Sequence, residues 1–198
     1  MRTRNTDKEK IVREKAVELL LKEGFEGFSV NKLAKLCAIS VATLYIYYKD
    51  KDDLILKVAI GELQKMNDMM LTDFDPELPF EEGLRIQWKN RARYLQDNPT
   101  SMLFMEKLRN STYQEKVFEN TMTGFKTAMS RFMQNAVKRG EINPMPVEVF
   151  WAIAYGPLYT LARFDNENKS LMGKPFTLSN KILWQTFDFV IKALKNKT

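Results

Sequence analysis

The stretch at residues 30–54 constrains the fold more than any other part of this 198-residue chain. Its pattern predicts two short helices joined by a tight corner and followed by a longer helix. Ser40 is placed to cap the second helix, because a serine hydroxyl can accept the free backbone N–H groups of a first turn. Leu44 and Tyr48 follow at the i, i+4 spacing of side chains that face a core. The stretch therefore predicts a helix-turn-helix.

Small and hydroxyl-bearing side chains occupy the opposite face of the predicted second helix. A helix-turn-helix places such a helix in the major groove of DNA, where small side chains permit close approach and hydroxyls reach phosphates. The predicted base-edge contacts are Ser40, Val41, Ala42 and Ile46. The predicted phosphate contacts are Thr43, Tyr45, Tyr47, Lys49 and Lys51, with further backbone contacts from Lys32 and Lys35. Core packing is an equal alternative for Tyr47. Arg2 and Arg4 form a basic arm able to enter the minor groove.

At these residues the chain resembles the TetR family of bacterial transcriptional repressors, closely over residues 8–54 and loosely thereafter. The motif stands here as Cys37-Ala38-Ile39-Ser40, Thr43-Leu44-Tyr45, Tyr47-Tyr48 and Lys51-Asp52-Asp53-Leu54. Two positions depart from the family pattern. Ala38 replaces the usual turn glycine, which costs free energy if that residue needs a positive φ. Val41 stands where the family often has a basic residue, and this favours apolar readout, for example of a thymine methyl group.

Charge and composition limit the classes of function that are expected for this chain. The net charge is +6, and residues 1–51 hold 11 Lys+Arg against 7 Asp+Glu. A basic N-terminal part would release counterions from DNA phosphates, although ordinary surface solvation explains so small an excess equally well. The chain has no histidine and one cysteine, so neither a metal site nor a cofactor is predicted. Without a catalytic constellation, the chain is not expected to be an enzyme.

No segment predicts a membrane location. The longest uncharged run, residues 149–162, has 14 residues and contains Gly156-Pro157, which is short of the roughly 20 apolar residues that span a bilayer. Residues 1–10 are polar and contain no apolar run of the kind found in a signal peptide. A cytoplasmic protein is expected.

Helical periodicity continues through the rest of the chain. The predicted fold is all-α, with a three-helix helix-turn-helix DNA-binding domain at residues 1–51 and a helical bundle for ligand binding and dimerisation at residues 52–198. Beyond the helix-turn-helix, a helix at about residues 51–71 connects the two parts, since Asp75-Pro76 and Leu78-Pro79 break the chain after it. Further helices are predicted at 80–96, 100–109, 112–139, 146–164 and 178–194.

Large aromatic and methionine side chains on the C-terminal helices suit an adaptable apolar pocket. The candidate effector-binding residues are Trp88, Phe104, Met105, Phe125, Met129, Trp151, Tyr155 and Tyr159. Simple core packing is the alternative for each of them. Pro157 is expected to bend the helix at 146–164. An inward-facing arginine would instead favour an anion, and Arg85, Arg91, Arg93, Arg109 and Arg163 are the candidates. The family resemblance implies a small effector in this domain and a homodimer formed through the helices at 146–164 and 178–194.

Together these features predict a ligand-responsive regulator of transcription. The resemblance implies a repressor that binds a near-palindromic DNA operator as a homodimer and is released by an unknown small molecule. A helical protein–protein adaptor is the alternative. Binding to random duplex DNA at two salt concentrations separates the two classes, because only a DNA-binding protein loses affinity steeply with salt.

Overall fold

The computed structural model describes residues 2–196, and side chains from residue 8 onward. Eleven helices account for the regular structure of these residues, as the all-α prediction requires. The helices are α1 (Arg2–Glu23), α2 (Val30–Leu36), α3 (Val41–Tyr45), α4 (Lys51–Met70), α5 (Phe80–Asp97), α6 (Ser101–Arg109), α7 (Gln114–Thr121), α8 (Thr123–Lys138), α9 (Val147–Ala154), α10 (Gly156–Asn166) and α11 (Asn180–Leu194). Over the same residues, no helix is both long enough and apolar enough to cross a bilayer.

The helices form two compact units that do not follow chain order. The first unit contains residues up to Met66 together with Thr100–Thr123, and the second contains Asn67–Pro99 together with the chain from Gly124 onward. The chain therefore passes between the units three times, after residues 66, 99 and 123. The sequence suggested a single passage. The functional division at residue 51 stays a prediction.

The first unit has a core to which α6 and α7 contribute as well as the N-terminal helices. Phe104 of α6 packs against Phe25, with ring centroids 5.7 Å apart, and Tyr113 lies 5.9 Å from the same Phe25 ring. The Tyr113 hydroxyl donates a hydrogen bond to Asp52 Oδ1 at 2.6 Å. Burial and this carboxylate both raise the pKa of Tyr113. Glu26 accepts hydrogen bonds from Thr112 in the same way. Residues 100–123 are thus held to the N-terminal helices by apolar and polar contacts.

The second unit packs around aromatic side chains of α5. Phe80 stacks on Phe132 of α8 at 5.7 Å, and Gly83 lies so close to Phe132 that an added Cβ would overlap the ring. Trp88 is fully buried, and its indole N–H donates to the Ala154 carbonyl at 2.7 Å. This hydrogen bond fixes the end of α9 against α5, while the indole's apolar surface is removed from water.

Two predicted long helices are each broken into two. The helix expected at 112–139 is α7 and α8, which meet at Met122. The helix expected at 146–164 is α9 and α10, and Tyr155 between them has φ −124° and ψ −23°. Pro157 lies in the first turn of α10, where a missing N–H leaves no helical hydrogen bond unmade. The expected bend in one continuous helix was therefore wrong. Pro157 starts a new helix.

Candidate nucleic-acid interface

The corner between α2 and α3 is a left-handed turn occupied by alanine. Ala38 has φ +52°. Its N–H donates to Lys35 O at 3.2 Å, and the N–H of Ile39 donates to Ala34 O at 3.0 Å. These two bonds form a Schellman motif, which satisfies the last carbonyls of α2 and turns the chain sharply. Ala38 does adopt a positive φ, a backbone conformation that favours glycine. The replacement of the usual turn glycine by alanine therefore costs free energy.

Ser40 caps α3 as predicted. Its Oγ accepts the N–H of Thr43 at 3.1 Å and lies 2.8 Å from Thr43 Oγ1. The two hydroxyls are thus joined at the first turn of α3. Each hydroxyl oxygen has two lone pairs and one proton, so after these two bonds the pair keeps one proton to donate and two lone pairs with which to accept.

The two faces of α3 differ in exposure as the pattern predicted. Leu44 and Tyr48 are buried, whereas Tyr45 is 47 % and Ile46 75 % exposed. Ala42 is also exposed. Leu44, and Tyr48 just after the helix, therefore anchor an α3 of only five residues. Its other side is open along Ala42, Tyr45 and the C-cap residue Ile46.

Two of the predicted contact residues have a second role. Val41 and Tyr47 are half-buried and pack against the first unit's core. For Tyr47 this is the alternative that the sequence left open, and for Val41 it reduces the side-chain surface available to a base edge. Thr43 is half-buried as well.

The predicted cationic contacts are placed unequally. Lys35 and Lys49 are exposed, Lys51 is half-buried, and Lys32 is exposed and forms an ion pair with Glu23. A lysine that already has a carboxylate partner supplies less net positive charge to a phosphate. The side chains of Arg2 and Arg4 lie outside the described residues, so the minor-groove arm stays a prediction.

The segment that follows α3 is tied to the start of α4. Asp50 Oδ1 accepts the N–H of Asp53 at 2.8 Å, and Asp53 Oδ2 accepts the N–H of Lys49 at 2.9 Å. Lys57 Nζ donates to the same Asp53 oxygen at 2.9 Å and to the Tyr47 carbonyl at 3.4 Å. The hydrogen bond from Lys57, followed by that from Lys49, lowers the pKa of Asp53. The sequence indicated that Asp50 or Lys51 begins this helix, and the Asp50 cap agrees with that. The second contact, from Asp53 back to Lys49, was not predicted, although an acidic residue three positions after a cap is a known signal for a helix start.

The sequence matches two family profiles that together cover most of the chain. Residues 12–58 match "Bacterial regulatory proteins, tetR family", and residues 60–187 match "Tetracyclin repressor-like, C-terminal domain". The chain belongs to the TetR family. Members of this family are transcriptional regulators that bind DNA through a helix-turn-helix, and the expectation of a regulator rather than an enzyme is confirmed.

Individual relatives of this chain are also described as transcriptional regulators. A Haemophilus influenzae protein described as an uncharacterized HTH-type transcriptional regulator is 35 % identical over 100 residues, which are 50 % of this chain and 54 % of the relative. The match thus spans about half of that relative. The Bacillus subtilis regulator YhgD is 22 % identical over 165 residues, which are 82 % of this chain and 86 % of the relative. A crystal structure of a TetR-family regulator from Marinobacter aquaeolei VT8 superimposes with a TM-score of 0.80 at 26 % identity, covering 100 % of both chains.

The candidate effector-binding residues of this TetR-family chain fall into two groups. Phe104 and Met105 belong to the first unit, where both pack into the core formed with the N-terminal helices. The others belong to the second unit: Trp88, Phe125, Met129, Trp151, Tyr155 and Tyr159. Phe125, Trp151 and Tyr155 surround one side chain that the sequence proposed only conditionally, Arg91.

Proposed function

We propose that this chain is a ligand-responsive repressor that binds a near-palindromic operator as a homodimer. The open face of α3 carries the proposal. Leu44 and Tyr48 hold that helix to the core, while Ala42, Tyr45 and Ile46 face away from it. In a two-fold dimer, two such helices read half-sites about 34 Å apart, or a multiple of that distance. A repressor of this kind acts on the bacterial chromosome, which places the chain in the cytoplasm.

Selection of bound duplexes from a random pool provides the operator for the first test. Lys49→Gln is then compared with Lys65→Gln by fluorescence anisotropy over a range of salt concentrations. Both lysines are exposed, but Lys65 lies about 20 Å farther along α4 than Lys51, at a rise of about 1.5 Å per residue. Loss of a phosphate contact at residue 49 reduces the salt slope by about 1 for each half-site, and the control leaves the slope unchanged. Equal slopes for both variants would remove Lys49 from the interface.

Tyr45→Phe tests a neutral phosphate contact. The change removes one hydroxyl and keeps the ring, so the fold is preserved while the hydrogen bond to a phosphate oxygen is lost. We expect operator affinity to fall by about tenfold for each half-site, if each bond contributes about 1.4 kcal/mol. Leu103→Ala, at an exposed position of α6 in the same unit, serves as the control. Unchanged affinity and salt dependence for Tyr45→Phe would contradict the assigned role.

Exposed apolar side chains support dimerisation through the C-terminal helices. Val147, Val149 and Trp151 of α9 and Phe189 of α11 are 57 %, 44 %, 37 % and 62 % exposed. Phe189→Glu is expected to shift the protein from dimer to monomer in analytical ultracentrifugation and to weaken operator binding. Leu171→Glu is the matched control, since Leu171 is 81 % exposed but lies between α10 and α11. A dimer that survives Phe189→Glu would place the interface elsewhere.

Repression would be relieved through α4. This helix begins two residues after the Tyr48–Lys49 segment that follows α3, and it ends in the second unit. A ligand that favours a different position of α4 would change the separation of the two reading helices. Because such coupling is reciprocal, operator DNA must weaken that ligand by the same factor. Operator affinity that stays constant when ligand occupies the second unit would contradict this part of the proposal.

A further inference from the structure

Arg91 is a charged residue that is fully buried in the second unit. It lies on the inner face of α5 with Leu84, Trp88 and Leu95, which are buried as well. No carboxylate forms a salt bridge with Arg91 among the residues whose side chains are described. A guanidinium stays charged in proteins, and a buried charge without a counter-ion is costly. Such a side chain points to a partner outside the chain.

The hydrogen bonds of Arg91 leave one edge of the guanidinium unused. Nη1 donates to Gln87 Oε1, and Gln87 Nε2 in turn donates to the Met70 carbonyl at 2.8 Å. Within the described part of the chain, Arg91 Nε and Nη2 are buried and have no hydrogen-bond partner. These two nitrogens share the same edge of the guanidinium, and their parallel N–H groups match the two oxygens of a carboxylate.

Aromatic rings surround the guanidinium, and one of them carries a buried hydroxyl. Arg91 Cζ lies 4.0 Å from the ring centroid of Tyr155 and 5.6 Å from those of Phe125 and Trp151. The rings offset part of the cost of the buried charge through cation–π attraction. The Tyr155 hydroxyl is buried and has no partner among residues 8–196. Burial raises the pKa of Tyr155 to about 12, so this hydroxyl keeps its proton and can donate it in a hydrogen bond.

We propose that Arg91 and Tyr155 bind the carboxylate of a small organic acid. The carboxylate accepts two hydrogen bonds from Arg91 Nε and Nη2 and a third from the Tyr155 hydroxyl. This inference rests on the proposed function, because it names the chemical class of the ligand to which the repressor responds. In this proposal the rings of Phe125 and Trp151 contact the apolar part of that acid.

The surroundings favour an organic acid over an inorganic anion. A phosphate or sulfate ion is hydrated on all sides. Phe125 offers no hydrogen bond and Trp151 offers only its single indole N–H, so the two rings could replace little of that water. A carboxylate on an apolar body has one polar end for Arg91 and an apolar remainder for the rings. The site therefore suits an amphipathic monoacid.

The same contacts lead to the connector helix. Arg91 is bonded to Gln87, and Gln87 is bonded to Met70, the last residue of α4. A carboxylate that binds the guanidinium is therefore connected to the end of α4 through two hydrogen bonds, one between Arg91 and Gln87 and one between Gln87 and Met70. Tyr155 is the junction of α9 and α10, so the acid also engages the break between those helices.

The test measures binding of defined acids to the purified full-length chain. The probes are the straight-chain acids from butanoate to dodecanoate together with benzoate and cinnamate, each paired with its primary amide. The amide keeps the size of the acid and removes its charge. Thermal shift and isothermal titration are expected to show at least one acid that binds about tenfold to a hundredfold more tightly than its amide, as expected for hydrogen bonds between charged groups.

Three variants assign the effect to residues. Arg91→Met is expected to abolish the preference for acid over amide, and Arg91→Lys to weaken it, because lysine keeps the charge without the fork. Tyr155→Phe is expected to weaken acid binding by several-fold with little change in fold. Arg93→Met is the matched control, since Arg93 lies on the same helix with its side chain 71 % exposed. It should bind acids as the unaltered chain does.

Several outcomes overturn the proposal. They are the absence of acid binding across the panel, equal affinity for acid and amide, stabilisation by inorganic phosphate alone, and unchanged acid binding in both Arg91→Met and Tyr155→Phe. Operator binding is measured separately on the same samples. Acid binding through Arg91 without any effect on operator affinity supports the carboxylate site and contradicts the ligand response under the proposed function. Absence of operator binding contradicts the repressor and leaves the acid measurements to decide the site.

Discussion

Replacing Ala38 with glycine is expected to stabilise the protein. Ala38 has φ +52°, a conformation that costs an alanine about 1–2 kcal/mol relative to its preferred regions. Glycine removes that cost, but it loses about 0.4–1 kcal/mol more conformational entropy on folding. The Ala38 side chain is exposed, so little buried surface is lost with the methyl group. The free energy of unfolding should therefore rise by about 0.5–1 kcal/mol.

Thermal and urea unfolding measure this change. For a chain of this size, 1 kcal/mol corresponds to a shift of about 2–4 °C in Tm, so Ala38→Gly should raise Tm by about 1–4 °C. The urea midpoint should rise with an unchanged m-value. The same motif ends α8 with Gly140 at φ +71° and α10 with Asn168 at φ +48°, two residue types that tolerate this conformation.

Two further variants show whether backbone strain is the cause. Ala42 lies within α3 and has an ordinary helical backbone. Ala42→Gly should therefore lower the free energy of unfolding by about 0.5–1 kcal/mol. Ala38→Val adds a branched side chain at positive φ and should lose more than that. A Tm for Ala38→Gly at or below that of the unaltered chain would refute the reasoning, since it would mean that alanine is not strained at this corner.

Two other predictions concern the cores of the units. Gly83→Ala should lower the free energy of unfolding by about 1–3 kcal/mol, because the new methyl group overlaps the Phe132 ring. Gly124→Ala, in open space on α8, should raise it by up to about 1 kcal/mol. Equal denaturant midpoints for the two variants would contradict the packing. Tyr113→Phe should lose about 1 kcal/mol at neutral pH with its hydrogen bond to Asp52. Because the pKa of Tyr113 is raised, its contribution is complete below the ordinary value of 10 and is lost as the pH rises through the higher folded-state pKa, so Tm of the unaltered chain should fall more steeply at alkaline pH than Tm of Tyr113→Phe.

The corner of the helix-turn-helix could be predicted from sequence because its signals are local. Ser40 caps a helix through an N–H three residues away, and Leu44 and Tyr48 are buried on a single turn. The departure at Ala38 was informative for the same reason, since one residue's φ decides its cost. Local chemistry of this kind can be read directly from the order of residues.

The placement of the later helices could not be predicted in this way. Periodicity shows that Phe104 has an apolar neighbourhood, but it does not show which core provides it, and the partner Phe25 lies far away in sequence. The buried position of Arg91 did have a signal. Leu84, Trp88, Arg91 and Leu95 follow the i, i+4, i+7, i+11 spacing of a buried stripe, so a charge occurs where an apolar residue is expected. Whether it would be paired with an acid depends on distant residues.

The contribution of residues 100–123 to the first unit limits how this protein can be rearranged. A peptide ending at Met66 would lack Phe104, Leu108 and Val117 and would expose the apolar surfaces that these residues cover. A fusion of the first unit to the ligand-binding domain of another protein must therefore include α6 and α7 as well, which requires two further junctions in the chain. A single recombination event therefore cannot exchange one whole unit for another. New DNA or ligand specificities have to arise by substitutions within the existing fold.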